Sequence, residues 1–148
     1  PKLDVRGADY GDEDLLALAS ALPRGGGIEA VDLGENPRIT DASVSTMLNA
    51  LSVAHSRTIR AISLDHCSRL GKDTMMLCTS LMNRCFSELQ VLNVSGVQIG
   101  VHQYVELAGA VECHPRLRDV RLADTGLGGW RPTPQVISMI LGNPRLET

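Results

Sequence analysis

The chain has 148 residues, 43% of them apolar and 21% charged, with a formal net charge of -3. That length suits one domain or a piece of one, with roughly two thirds of the unfolded surface available for burial, and the composition excludes a disordered chain. Aromatic residues make up only 3%, and no basic stripe is visible, which argues against nucleic acid and requires an aliphatic core.

Taken in order, the chain alternates short apolar strands with helical patterns. "KLDV" (2–5) leads through a turn at Ala8 to Tyr10, then to Asp12 before "EDLL" and an apolar helical face in "LASAL" (18–22). "IEAVDL" (28–33) follows, with a turn at Asn36, core resuming at Ile39, and Asp41 before a helix containing "LNAL" (48–51). "IRAISL" (59–64) turns at Cys67 and resumes at Leu70, and Asp73 stands before "TMMLCTSL". "LQVLNV" (89–94) turns at Val97, resumes at Ile99 and leads to "LAGAV" (107–111). "LRDVRL" (117–122) turns at Thr125 and resumes at Leu127. A loop, "GLGGWRPTP" (126–134), then offers Thr133 as a cap and Pro134 as first helical residue before "VISMI" (136–140). Asp12, Asp41 and Asp73 read as start signals for their own helices.

The strand starts Ile28, Ile59, Leu89, Leu117 and Leu146 are separated by 31, 30, 28 and 29 residues. One strand and one helix of this size cannot bury their own apolar faces, whereas stacked copies bury a continuous core. Strand–helix–strand connections make the strands parallel. The helical layer is the wider one, so it bends the stack and leaves the strands on the concave side.

The frame of "IEAVDLGEN", with apolar residues at its first, fourth and sixth positions and a turn residue after them, resembles the leucine-rich repeat. The period and the helical patterns are similar to the ribonuclease-inhibitor-like class. "NPRITD" and "CSRLGKD" instead resemble the cysteine-containing class, because the second and third repeats take one more turn residue before the core resumes. The resemblance implies an α/β solenoid of about five repeats over 1–148. Neither end reads as a polar cap, so a single array within a longer protein is expected, with Leu3 and Leu146 covered by further repeats or caps.

The resemblance also implies that the turn Asn is buried and bonds backbone groups of its own and the adjacent turn. The physical need is plain, since bent backbone inside a stack has N–H and C=O groups that must be paired, and Asn supplies donors and an acceptor. Cys67 and Thr125 can replace it in part; Ala8 and Val97 cannot.

Strand residues alternate between core and surface. One outward column is Asp4, Asp32, Ser63, Asn93 and Arg121. The next is Arg6, Gly34, Asp65, Ser95 and Ala123, and the one before holds Ala30, Ala61, Val91 and Asp119. This face is polar, acidic toward the first repeats and without an aromatic anchor. It is the candidate partner-binding surface. Trp130, beside Arg131, either covers a gap between helices or projects as a loop contact.

No catalytic signature is found. His55, His66, His102 and His114 lack metal-ligand spacing, and "GKDT" (71–74) lacks the upstream glycine of a phosphate loop. No cofactor or metal is expected. Cys67, Cys78, Cys85 and Cys113 form no CxxC pair and read as reduced, buried thiols of a cytoplasmic protein, with disulfide or metal roles as alternatives. Cys78 and Cys85, seven residues apart, can face one core.

No apolar run reaches the ~18 residues of a membrane span. The expectation is a non-enzymatic scaffold or regulatory module for a protein partner. Two alternatives come from the resemblance: a GTPase-activating protein of the leucine-rich-repeat type and a ubiquitin-ligase substrate receptor.

Overall fold

The computed structural model describes residues 1–22, 27–126 and 133–147. Five strands and five helices alternate: β1 (Lys2–Asp4), α1 (Asp12–Ser20), β2 (Ala30–Asp32), α2 (Asp41–Ala54), β3 (Ala61–Ser63), α3 (Lys72–Arg84), β4 (Val91–Asn93), α4 (Val101–Cys113), β5 (Asp119–Arg121) and α5 (Pro134–Leu141). The sheet is parallel throughout, in the order β1-β2-β3-β4-β5, and each helix packs on the next.

Pairing is in register with the repeat. Leu3, Val31, Ile62, Leu92 and Val120 align as the inward column, and Asp4, Asp32, Ser63, Asn93 and Arg121 as the outward one. The backbone ladder runs past the strands themselves. Val5, Leu33, Leu64 and Val94 each donate to the next repeat, and so do Gly7, Glu35, His66 and Gly96 at 2.8–3.0 Å. In the last of these columns the backbone is left-handed in every repeat, at Gly7, Glu35, His66, Gly96 and Asp124. A non-glycine residue there costs roughly 1–2 kcal/mol. At Glu35 and His66 the N–H bonds to the adjacent repeat hold it in place.

The strand-start residues Ile28, Ile59, Leu89 and Leu117 are all buried, as are Leu48, Leu51, Cys78, Leu81, Leu107, Ala108 and Val111 on the helices. The anticipated helical faces are thus seated on the core, except that Ile137 of α5 is 43% exposed. The thiols depart from expectation. Cys67 and Cys78 are buried, but Cys85 lies just past the end of α3 and is half-buried, and Cys113 at the end of α4 is exposed. Burial pushes the Cys67 thiol up to about 11 and that of Cys78 to about 12, so both are protonated packing groups near neutral pH.

The turn residue behaves as its chemistry requires. Asn36 is wholly buried. Its Nδ2 donates to the carbonyls of Val5 and Leu33, both at 2.9 Å, and to that of Gly34 at 3.2 Å; its Oδ1 accepts the Tyr10 N–H at 2.9 Å. The Sγ of Cys67 donates to the Leu33 carbonyl at 3.2 Å, which reproduces one arm of that network.

The additional turn residue also has a physical account. In the second and third repeats the N–H of the resumed core residue is satisfied within its own turn, Ile39 by Asn36 and Leu70 by Cys67. In the shorter turns the N–H reaches the next repeat instead, Tyr10 to the Asn36 side chain and Ile99 to the Thr125 carbonyl.

The aspartates at the helix starts correct the sequence expectation. Asp12 and Asp41 are the first residues of α1 and α2, behind Gly11 and Thr40, and α3 starts at Lys72 behind Gly71. Each of the two carboxylates serves the following helix rather than its own. Asp12 accepts from Thr40 N (2.8 Å), Thr40 Oγ1 (2.9 Å) and Ser43 Oγ (2.6 Å). Asp41 accepts from Gly71 N (2.9 Å), Thr74 N (3.3 Å) and Thr74 Oγ1 (2.5 Å). An anion at a helix N-terminus satisfies unpaired N–H groups and complements the dipole. At α5 the expected local cap is present, with Thr133 Oγ1 accepting from Val136 N and Pro134 in the first turn.

Candidate functional site

The outward column of the sheet begins with a repeated local device. The side-chain oxygen of Asp4, Asp32 or Asn93 accepts the N–H two residues on, at 3.1–3.2 Å. These bonds fix the chain as it leaves the strand and hold the polar side chains in one row.

Across that row lies a charge network. Arg6 leaves the first repeat, crosses the second and forks onto Asp65 of the third, with Nη1 to Oδ1 at 2.8 Å and Nη2 to Oδ2 at 2.7 Å. On the way it bonds Glu35 at 2.8 Å and approaches Asp32 at 3.5 Å. Ser63 donates to Asp65 at 2.6 Å, and Lys2 pairs with Asp4 at 2.7 Å and with Asp32 at 3.3 Å. The Arg6 guanidinium holds the Asp65 carboxyl down at about 2, while the Arg6 pKa is raised in return.

Gly34 makes the crossing possible. A Cβ there would stand 2.5 Å from Arg6 Nη1 and 2.5 Å from Asp65 Oδ1. At the other end of the face Arg121 closes a fork onto Asp119, with Nη2 at 2.7 Å from Oδ2.

The sequence placed Asp4, Arg6, Asp32, Ser63, Asp65, Asn93, Ser95, Asp119 and Arg121 on one face, and the register brings them together there. One correction concerns Asp65. It points outward but is only 4% exposed, because the Arg6 guanidinium lies over it. Lys2 and Glu35 join the network without having been singled out. Lys2 sits in register with Ala30, Ala61, Val91 and Asp119, a signal that the alternation rule carries. Trp130 and Arg131 lie outside the described residues.

Between the Arg6 network and Arg121 the sheet leaves a groove of about 450 Å3 floored by Ala30, Ala61 and Val91, with Asn93 on its side. Small side chains over three strands let another backbone approach closely. A second hollow, about 540 Å3, lies on the helical side between α3 and α4, beside Met76, Glu106 and Cys113. It is the furrow left where Gly109 and Ala110 stand. Among the described residues no group of three or more His, Cys, Asp or Glu is placed to hold a metal ion, and no helix is long and apolar enough to cross a membrane.

Comparison with solved structures supports the architecture. The chain is similar to the tropomodulin C-terminal domain of Caenorhabditis elegans, with a TM-score of 0.70 and 13% identity over 93% of this chain and 80% of that one. It is also similar to a chain of the yeast Rad7 and Elc1 complex, with a TM-score of 0.65 and 21% identity, over 92% of this chain but 31% of that one. No family model matches the sequence, and no curated protein matches it. The fold is a leucine-rich-repeat solenoid, a parallel five-stranded sheet backed by helices.

Proposed function

We propose that this chain is a non-enzymatic scaffold that holds a protein partner against the open face of its sheet. The groove carries this reading: a floor of Ala30, Ala61 and Val91 between two anchored charge clusters, with Asn93 held ready at its edge. An extended partner segment could lie on such a floor and pair its polar groups with Asp32 and Asn93. Pre-anchored side chains lose little freedom on binding, which favours affinity. The neighbours support the fold alone, since one fold hosts many activities.

The GTPase-activating alternative needs an arginine able to reach a partner's phosphate. Arg6 and Arg121, the concave candidates, are both forked onto carboxylates of their own chain, and this favours the scaffold reading. The substrate-receptor alternative draws on the self-closed turns at Asn36 and Cys67, which resemble the cysteine-containing class. Affinity capture with the full-length protein tests the scaffold. Ala61→Arg should lose the captured partner while retaining the circular dichroism of the parent. Undiminished capture by that variant would remove the concave groove from consideration, and stimulation of GTP hydrolysis by a captured GTPase would replace the scaffold reading with the enzymatic one.

A further inference from the structure

Away from the groove, two successive repeats present an arginine from the same rigid turn. The stretches His114-Pro115-Arg116-Leu117 and Asn143-Pro144-Arg145-Leu146 are equivalent in the repeat. Each opens with a buried polar side chain, 4% exposed for His114 and 3% for Asn143. His114 Nδ1 accepts the N–H of Arg116 at 3.3 Å and of Leu117 at 3.1 Å, leaving Nε2 to donate to the Phe86 carbonyl at 3.0 Å. Asn143 Oδ1 accepts the N–H of Arg145 at 3.0 Å, and its Nδ2 donates to the carbonyls of Val111 at 2.6 Å and His114 at 3.1 Å. The backbone carrying both arginines is thereby tied to the core.

Arg118 joins them from the strand edge, and the three arginines, with Gln90 and Pro115, line a hollow of about 440 Å3. Two carboxylates are near. Glu88 pairs with Arg116 at 3.2 Å, and Glu147, 75% exposed, lies 3.8 Å from Arg118, whose Nη2 also bonds Gln90. Among the described residues Arg145 has no ion-pair partner. Three arginines against two glutamates leave a positive site on a chain whose net charge is -3.

We infer that this arginine hollow is a second contact site, which takes the carboxylates of an acidic segment on a protein partner. The guanidinium fork matches carboxylate geometry, and Glu147 is held loosely enough to be displaced by a better-placed acid. Nucleic acid would share the charge, but the site offers no aromatic surface for base stacking. This site is separate from the sheet groove and does not depend on it.

Fluorescence anisotropy with a labelled Glu-rich peptide, at low and at physiological salt, tests the inference. The full chain should bind it saturably and more weakly as salt rises, and the same peptide with Gln for Glu should not bind. Arg145→Glu and Arg118→Glu should each weaken binding about tenfold or more, roughly the loss of one charge-assisted contact. Arg38→Glu, on the opposite edge, should bind like the parent, and because the peptide assay needs no captured partner, failure here is separable from failure of the scaffold reading. The inference is overturned by absence of saturable binding, by equal weakening in Arg38→Glu, or by tighter binding of oligouridylate than of the peptide.

Discussion

Arg6 and Asp65 stand in the first and third repeats, 59 residues apart, and meet in a two-bond fork at 2.8 and 2.7 Å over the backbone of the second. Asp65 is nearly buried and Arg6 is partly open to solvent, with side-chain exposures of 5% and 36%. The pair therefore fastens three repeats at once and forms one wall of the groove. Arg6→Ala strands a buried carboxylate and should destabilise the fold by roughly 1–3 kcal/mol, the range for a charged hydrogen bond left unmade. Urea unfolding of Arg6→Ala, Asp65→Asn and the double variant checks it. The double variant should cost clearly less than the sum of the singles.

Gly34 should be as sensitive as the pair it accommodates. Gly34→Ala places a methyl group at 2.5 Å from both Arg6 Nη1 and Asp65 Oδ1, so the arginine must move off the carboxylate. The expected loss of stability is close to that of Arg6→Ala, and Gly34→Ala added to Arg6→Ala should cost less than the sum of the two, the remainder coming from the contact with Asp65. Thermal unfolding of the four chains measures this.

Acid should weaken the same link. The folded pKa of Asp65, about 2, lies below the ordinary carboxyl value of 3.8, so its contribution is complete above the unfolded value and is lost as pH falls toward 2. That difference corresponds to about 2 kcal/mol. Between pH 6 and pH 2 the parent should lose about that much more stability than Asp65→Asn, as read from unfolding midpoints at each pH.

Asn36 holds two turns with four bonds and is wholly buried. Asn36→Ala should destabilise by roughly 1–3 kcal/mol, because it leaves buried carbonyls and the Tyr10 N–H unpaired. Denaturant unfolding that returned the parent's midpoint would remove the account of this turn.

The three aspartates that look alike in sequence should behave differently. Asp12→Ala removes three bonds to the start of α2 and should cost roughly 1–2 kcal/mol, as for lost helix caps. Asp73 is exposed, and Asp73→Ala should stay within about 0.5 kcal/mol of the parent. Chemical denaturation of both variants checks the contrast.

Much of the architecture was legible because periodicity encodes which side chains face inward. The spacing of Ile28, Ile59, Leu89 and Leu117 located the stack, alternation placed the outward columns, and the need to pair bent backbone assigned Asn36. What local rules could not show is which surface side chain meets which across repeats. Asp12 and Asp41 read as caps of their own helices because the rule sees one helix, whereas stacking sets them against the next. The reach of Arg6 to Asp65 depends on Gly34 leaving space in between, a matter of neighbouring volumes. The two arginine turns could have been found, since "HPRL" and "NPRL" repeat 29 residues apart. Their meaning required the burial of His114 and Asn143.

Photo-crosslinking tests the scaffold reading most directly. A photo-reactive side chain placed at Asn93, beside the groove, is compared with one at Val53, 88% exposed on the helical side, in the full-length protein. The account predicts a crosslinked protein partner from position 93 that is lost with Ala61→Arg, and none from position 53. A partner crosslinked from position 53 and not from position 93 would contradict it.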